Sequence, residues 1–301
     1  MCAWRDKIDI FWSPTHRLPR FLPKSVAKVV TIHDLVYRFA PKTMRPLSLL
    51  VEKRLVPEAI RMADLVMVDS HATAAGVAEV FPQFAHKVRA VHLGVSALPS
   101  ILKSEVLSQL NISKPYFLFV GTIEPRKNLE RLLAAFTLIP KPYRDQFSLV
   151  IAGGKGWGGV DLENLIRQHE LNDSVKLLGY VSDHQLAALY FNARFLAMPS
   201  LYEGFGLPLL EAMQYGVPVL TSNTGALAEI AGDSGINVDP YSLDSIAAGI
   251  HKMLFDDEFI KSLGENALRR VQNFSWDKCA AETMAVFEEA IALRDIRMSR
   301  N

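Results

Sequence analysis

Two acids flank a glycine turn in the segment Glu203-Gly204-Phe205-Gly206-Leu207-Pro208-Leu209-Leu210-Glu211. Carboxylates accept hydrogen bonds from hydroxyl groups, and glycines let backbone N–H groups come close to an anion. The segment follows an apolar run, Phe195 to Met198, closed by Pro199, Ser200 and Leu201. That order predicts a buried strand, a tight turn and a helix whose first turn accommodates Pro208. The start of such a helix turns free N–H groups toward the loop, which suits a phosphate. Glu203 lies before the turn and Glu211 one helical turn after Pro208, so the two carboxylates can flank one ligand. An ordinary strand-to-helix connection with two solvated acids would use the same residue types.

A second stretch offers the opposite charge. Tyr116 to Val120 is fully apolar and reads as a buried strand, followed by Gly121-Thr122-Ile123-Glu124-Pro125-Arg126-Lys127-Asn128. Asn128 is placed to cap a helix from Leu129 to Leu138. A glycine turn, two adjacent cations and a helix start together make a diphosphate site, where a plain loop would carry two surface cations. A third candidate is His33, which with Asp34 ends an apolar strand from Ala27 to Ile32. Ligands of α/β proteins bind at the carboxyl ends of strands, although a lone histidine is more often structural. The run Gly153 to Gly159 contains the spacing G-x-G-x-x-G, from Gly154 to Gly159. It is not a dinucleotide fingerprint, because it opens no first βαβ unit and lacks the acid about 20 residues on.

The elements that must position these residues alternate. Strands are expected over 8–12, 27–32, 64–68, 88–92, 116–120, 148–152, 175–178, 195–198 and 217–220. Helices are expected over 45–62, from 70, over 102–110, 129–138, 184–191 and from 208, then over 242–254, 256–271 and 276–293. Asp69 or Ser70 caps the second of these helices, Asp183 the helix over 184–191, and Ser275 the last. The alternation predicts an α/β protein with parallel, doubly wound sheets. At 301 residues there is room for two domains, and a half-hydrophobic composition supplies their cores. A net charge of +1 argues against a nucleic-acid binder working through a global basic field. Cys2 and Cys279 make neither a disulfide framework nor a metal site, and they fit a reducing compartment. No apolar run reaches the ~18 residues of a membrane span. Arg17, Arg20, Lys24 and Lys28 interleave with Pro19, Phe21, Leu22 and Pro23. They make either a solvated loop or a surface for anionic lipid headgroups or a charged acceptor.

The nonapeptide from Glu203 to Glu211 resembles the nucleotide-sugar-binding motif of retaining glycosyltransferases of the GT-B fold, in particular glycosyltransferase family four. Thr31-Ile32-His33-Asp34, Val68-Asp69-Ser70, His92-Leu93-Gly94-Val95 and Glu124-Pro125-Arg126-Lys127-Asn128 match the same family, so the similarity runs from about residue 7 to about 290. It implies two Rossmann-like domains facing across a cleft. These are an acceptor-side domain over 1–109, a nucleotide-sugar-binding domain over 110–274, and a helix over 275–301 crossing back to the first. By resemblance, Glu203 contacts the donor sugar, Glu211 holds the ribose hydroxyls, and Arg126 and Lys127 neutralise the diphosphate. Gly121 and the backbone of Gly204, Phe205, Gly206 and Leu207 line it, Tyr180 and Val181 border the base, and His33 reaches toward the reaction centre. Family members usually carry roughly 80 further residues at the start, so the first domain reads as incomplete, with an exposed sheet edge.

The resemblance implies a cytoplasmic retaining transferase, in peripheral contact with the membrane, that moves a hexosyl group to a hydroxyl of a glycan or lipid-linked glycan in surface-polysaccharide or lipopolysaccharide assembly. Ser222 to Glu229 resembles mannosyltransferases, which favours GDP-mannose over UDP-glucose or another UDP-sugar as donor. No further cofactor is expected. No Asp-x-Asp pair occurs, in keeping with metal-independent chemistry in which protein cations take the metal's place. Two other readings are a nucleotide-dependent oxidoreductase and a donor-binding module left inactive by a short first domain.

Overall fold

The computed structural model describes residues 7–99 and 105–299. Cys2 and the start of the helix expected over 102–110 lie outside the described residues. The chain divides into two compact units, residues 1–94 with 274–301, and residues 95–273. The boundary falls at 94/95 rather than 109/110 because the linker helix α4 (Glu105–Gln109) packs on a helix of the second unit.

The first unit is built on a four-stranded parallel sheet in the order β1 (Ile10–Ser13), β2 (Ala27–Ile32), β3 (Leu65–Val68), β4 (Val88–Ala90). Every residue of β3 is buried, as are all of β2 but Lys28, which is the pattern of strands covered on both faces. Helix α1 (Val36–Phe39) starts where Asp34 Oδ1 accepts the Val36 N–H at 2.9 Å. Helix α2 (Pro46–Met62) and α3 (His71–Val80) follow, and Ser70 caps α3 by accepting the Thr73 N–H at 3.0 Å. The last helix, α13 (Trp276–Ser299), buries Val286 and Ala290 against Ala27, Val29, Leu65 and Met67 of this sheet.

The second unit holds a six-stranded parallel sheet. Its strands are β5 (Tyr116–Val120), β6 (Ser148–Ala152), β7 (Val175–Gly179), β8 (Leu196–Met198), β9 (Val219–Ser222) and β10 (Gly235–Val238). Their order is β10-β9-β8-β5-β6-β7. Chain order therefore reverses between β5 and β8, and ligands of doubly wound sheets bind beyond the carboxyl ends at such a reversal. Phe117 of β5 stacks on Phe195 at the start of β8, ring centroids 5.0 Å apart, and meets Phe136 of α5 (Leu129–Thr137) edge-on at 5.1 Å. These rings fix the spacing of the two strands that carry the reversal. Strand β10 and the short helices α6 (Lys141–Arg144) and α7 (Leu162–Gln168) lie in stretches for which no element is expected from sequence. Gly-Ile-Asn-Val of β10 is too short to show a period, and its pairing with β9 makes it a strand. Helices α8 (Asp183–Asn192), α9 (Leu207–Met213), α10 (Ala226–Ala231), α11 (Leu243–Phe255) and α12 (Asp257–Val271) complete the unit. Ser182, not Asp183, caps α8, through a capping box with Gln185.

Candidate functional site

Three loops meet beyond the carboxyl ends of β5, β8 and β9. The β5 loop runs from Gly121 through a single 3-10 turn, Pro125–Lys127, to Asn128 in left-handed backbone. Asn128 occupies the N-cap of α5, but its side chain does not cap the helix. Its amide instead donates to the carbonyls of Pro199 at 2.9 Å and Pro240 at 2.7 Å, and its Oδ1 accepts from Arg131 at 2.9 Å. The β8 loop is tied to it again where the Leu201 N–H donates to the Arg126 carbonyl at 2.8 Å, and the Arg126 guanidinium donates to the Tyr202 carbonyl at 3.0 Å. From β9, the Ala226 N–H reaches the Glu203 carbonyl at 3.3 Å. Two stretches some 75 residues apart in sequence are thus one rigid piece.

This piece brings Glu203, Arg126 and Lys127 together. Glu203 is 8% exposed and Lys127 9%. Arg126 forms a close ion pair with Glu203 Oε2, and Lys127 Nζ lies 2.7 Å from Oε1. Oε1 is buried and has the Lys127 ammonium as its ion-pair partner. Burial opposes ionisation of Glu203, but the charges of Lys127 and then Arg126 outweigh it and hold the carboxyl below the usual range. Arg126 also faces Glu124 at 3.8 Å.

Gly206 is the N-cap of α9 with φ +115°, and a Cβ there would sit 2.6 Å from Leu227 Cδ2, so only glycine fits. Phe205 is 5% exposed, so its ring belongs to the core and only its backbone is left for a ligand. Leu207 is exposed at the first turn of α9. Glu211 is half-buried on α9, and the buried phenol of Tyr190 on α8 donates to its Oε2 at 2.7 Å. Burial pushes the Glu211 carboxyl up, the Tyr190 bond opposes that rise, and the charge of Asp183 adds to it. Tyr180 and Val181 follow β7, two strands from β5, and Tyr180 is 87% exposed. Gly121 (φ +142°) adjoins Lys127, and a Cβ there would touch the ammonium at 3.7 Å.

In the first unit, His33 follows β2. Its Nδ1 lies 2.7 Å from buried Asp69 Oδ2, and its Nε2 lies 2.8 Å from the Pro14 carbonyl. A carboxylate and a carbonyl are both acceptors, so both ring nitrogens must carry hydrogen. The ring is therefore an imidazolium. The hydrogen bond that its Nδ1 donates to Asp69 raises its pKa to about 9 against the effect of burial. The His33 N–H donates to His16 Nε2 at 3.0 Å, which leaves His16 Nδ1 to donate to Glu52 at 3.0 Å. Sequence reasoning did not single out Tyr190, His16 or the tie of Asp69 to His33. Asp69 stands next to the cap Ser70, and Tyr190 sits in an ordinary apolar helix face, so neither carries a local signal.

The family model described as Glycosyl transferases group 1 matches residues 104–270. The Escherichia coli protein named O-antigen chain mannosyltransferase B is 32% identical over 299 residues, covering 95% of this chain and 76% of that protein. The MMP alpha-(1->4)-mannosyltransferase of Mycolicibacterium hassiacum is 42% identical over 134 residues, 43% of this chain and 33% of its own length. Among solved structures, sucrose-phosphate synthase from Thermosynechococcus elongatus aligns with a TM-score of 0.74 at 27% identity, over 91% of this chain and 69% of that one. WaaG, a glycosyltransferase involved in lipopolysaccharide biosynthesis, aligns at 0.73 and 18% identity, over 95% and 79%, which bears on the fold alone. With its parallel α/β units and these matches, the chain belongs to the group 1 family of glycosyltransferases and has the GT-B fold.

Proposed function

We propose that the chain transfers a hexosyl group, mannosyl in our reading, from a nucleoside-diphosphate sugar to a hydroxyl of a growing surface glycan, with retention and without a metal. The observation that carries this is the Arg126-Lys127-Glu203 cluster at the strand-order reversal, with two cations and a buried carboxylate at one loop junction. Glu211, held by Tyr190, is assigned to the ribose, and the backbone of Gly204 to Leu207 to the diphosphate. In the reaction the bond from the anomeric carbon to the leaving phosphate oxygen breaks, and the bond to the acceptor oxygen forms on the same face. The acceptor's proton passes to the leaving phosphate, so no dedicated base is required. Arg126 and Lys127 stabilise the charge that grows on that phosphate, which is usually the largest catalytic contribution. His33, held cationic by Asp69, is assigned to the reacting sugar.

A mannosyl donor draws support from the names of the relatives at 32% and 42% identity. Phe21, Leu47 and Leu50 are 89%, 73% and 67% exposed in the unit that carries Arg17 and Lys24, and this supports peripheral contact with a membrane that holds a lipid-linked acceptor. Among the described residues no helix is long and apolar enough to cross one. The test is calorimetric titration with GDP-mannose and a panel of UDP-sugars, with transfer to a mannose-ended glycan followed in parallel. Binding of UDP-sugars with no response to GDP-mannose would replace the donor. Donor binding with no transfer to any glycan would leave a binding module instead of an enzyme.

A further inference from the structure

The diphosphate seat is already occupied by the chain's own charge. Arg126 meets Glu203 and, at 3.8 Å, Glu124, while Lys127 meets Glu203 at 2.7 Å. Two cations face two carboxylates, so an approaching diphosphate finds no net positive charge. Direct contact matters here, because attraction between charges falls with distance and rises with burial, and Glu203 is both buried and touching. Arg126 is also pinned through the Tyr202 carbonyl, so its guanidinium is the fixed member. Lys127 is buried beside Gly121, which places no side chain against it.

We propose that Glu203 is an internal counter-ion that the donor must displace, so that binding is an exchange: phosphate oxygens take Arg126 and Lys127, and the released carboxylate accepts hydroxyls of the sugar. This rests on the donor assignment made above. The exchange separates donor from product. A nucleoside diphosphate that carries a sugar offers the released carboxylate new donors. The same nucleotide without its sugar leaves a buried carboxylate beside phosphate with nothing to accept from, which costs free energy and favours release. Glu203 thereby weakens product binding more than donor binding.

Calorimetry with GDP, UDP, their mannose and glucose conjugates, and inorganic diphosphate tests this on the full chain and on Glu203→Gln, which keeps the shape and removes the charge. We expect the free nucleoside diphosphate to bind about tenfold tighter to Glu203→Gln. The sugar conjugate should bind no tighter than before, so the preference for donor over product falls. In a Lys127→Ala background the gain should shrink, because only the Arg126 contact is left to be freed. Unchanged or weaker binding of the free diphosphate to Glu203→Gln would overturn the exchange. So would an equal gain in the Lys127→Ala background, which would reflect a diffuse field. If Glu203→Gln melts early because buried Lys127 and half-buried Arg126 lose this carboxylate, inorganic diphosphate should restore its melting temperature more than that of the unaltered chain. Failure to do so would also count against the proposal. Absence of any nucleotide binding by the unaltered chain is a distinct result that removes the donor assignment itself, and the exchange with it.

Discussion

Replacing Tyr190 with Phe removes a single oxygen and with it the bond that holds Glu211. The phenol is fully buried and donates to Glu211 Oε2 at 2.7 Å. A hydrogen bond to a charged group contributes about 1.5–3 kcal/mol. Phe fills nearly the same space, so the surrounding packing loses little and the cost falls on the carboxylate. Burial already pushes Glu211 up and the Tyr190 bond works against that rise, so its loss pushes the carboxyl up further. A carboxyl raised in the folded state contributes its stability below the unfolded value and loses it as pH rises through the folded value. Tyr190→Phe should therefore cost about 1–2 kcal/mol in urea unfolding at neutral pH, and less under mildly acidic conditions where Glu211 is protonated. Nucleotide binding should weaken too, with the opposite pH trend. With Glu211 on the ribose, GDP or UDP should bind roughly tenfold more weakly to the variant, where 1.4 kcal/mol is one factor of ten. That loss should grow as pH falls. Calorimetry across this pH range, beside urea melts, reads both. Equal affinity and equal pH profiles in Tyr190→Phe and the unaltered chain would show that Glu211 does not depend on the phenol.

Arg126→Ala and Lys127→Ala should each weaken nucleoside-diphosphate binding by about 1.5–3 kcal/mol, and unchanged affinity in both would remove them from the site. Gly153→Ala should cost more than about 3 kcal/mol in urea unfolding, because φ is +154° and the new Cβ would lie 1.9 Å from the Gly121 carbonyl oxygen. That oxygen cannot retreat while the Gly121 N–H is bonded to Ala152 at 3.0 Å, and unaltered stability would refute the packing argument. Asp69→Asn should drop the His33 pKa from about 9 toward its ordinary 6.5, read by proton NMR of the ring against pH. His33 is raised by Asp69, so its contribution is present below 6.5 and lost as pH rises through 9. The ring is 46% exposed and screening leaves on the order of 1 kcal/mol, so the variant should be the less stable one at low pH, with the two curves converging above 9. A His33 titration unmoved by Asp69→Asn would contradict the assignment.

Much of this was legible along the chain because it depends on local pattern. Short, fully apolar runs such as Tyr116 to Val120 and Leu65 to Val68 read as buried strands, and their alternation with helices predicts parallel sheets. Residue types and spacing in Glu203 to Glu211 and Glu124 to Asn128 offered carboxylates, cations and glycine turns, and it was the resemblance they carry that implied a sugar diphosphate. Tertiary structure decided what those residues do to one another. Strand order is a long-range outcome, and placing β5 beside β8 is what sets Arg126 and Lys127 against Glu203. Asn128 reads as a helix cap, yet its amide is spent on two carbonyls of other loops. The charge on His33 follows from two acceptors, Asp69 and Pro14, brought from separate strand ends. Charge states and partnerships of this kind depend on burial and on neighbours distant in sequence. No window of residues holds that information, and only the packed fold creates the environment that sets them.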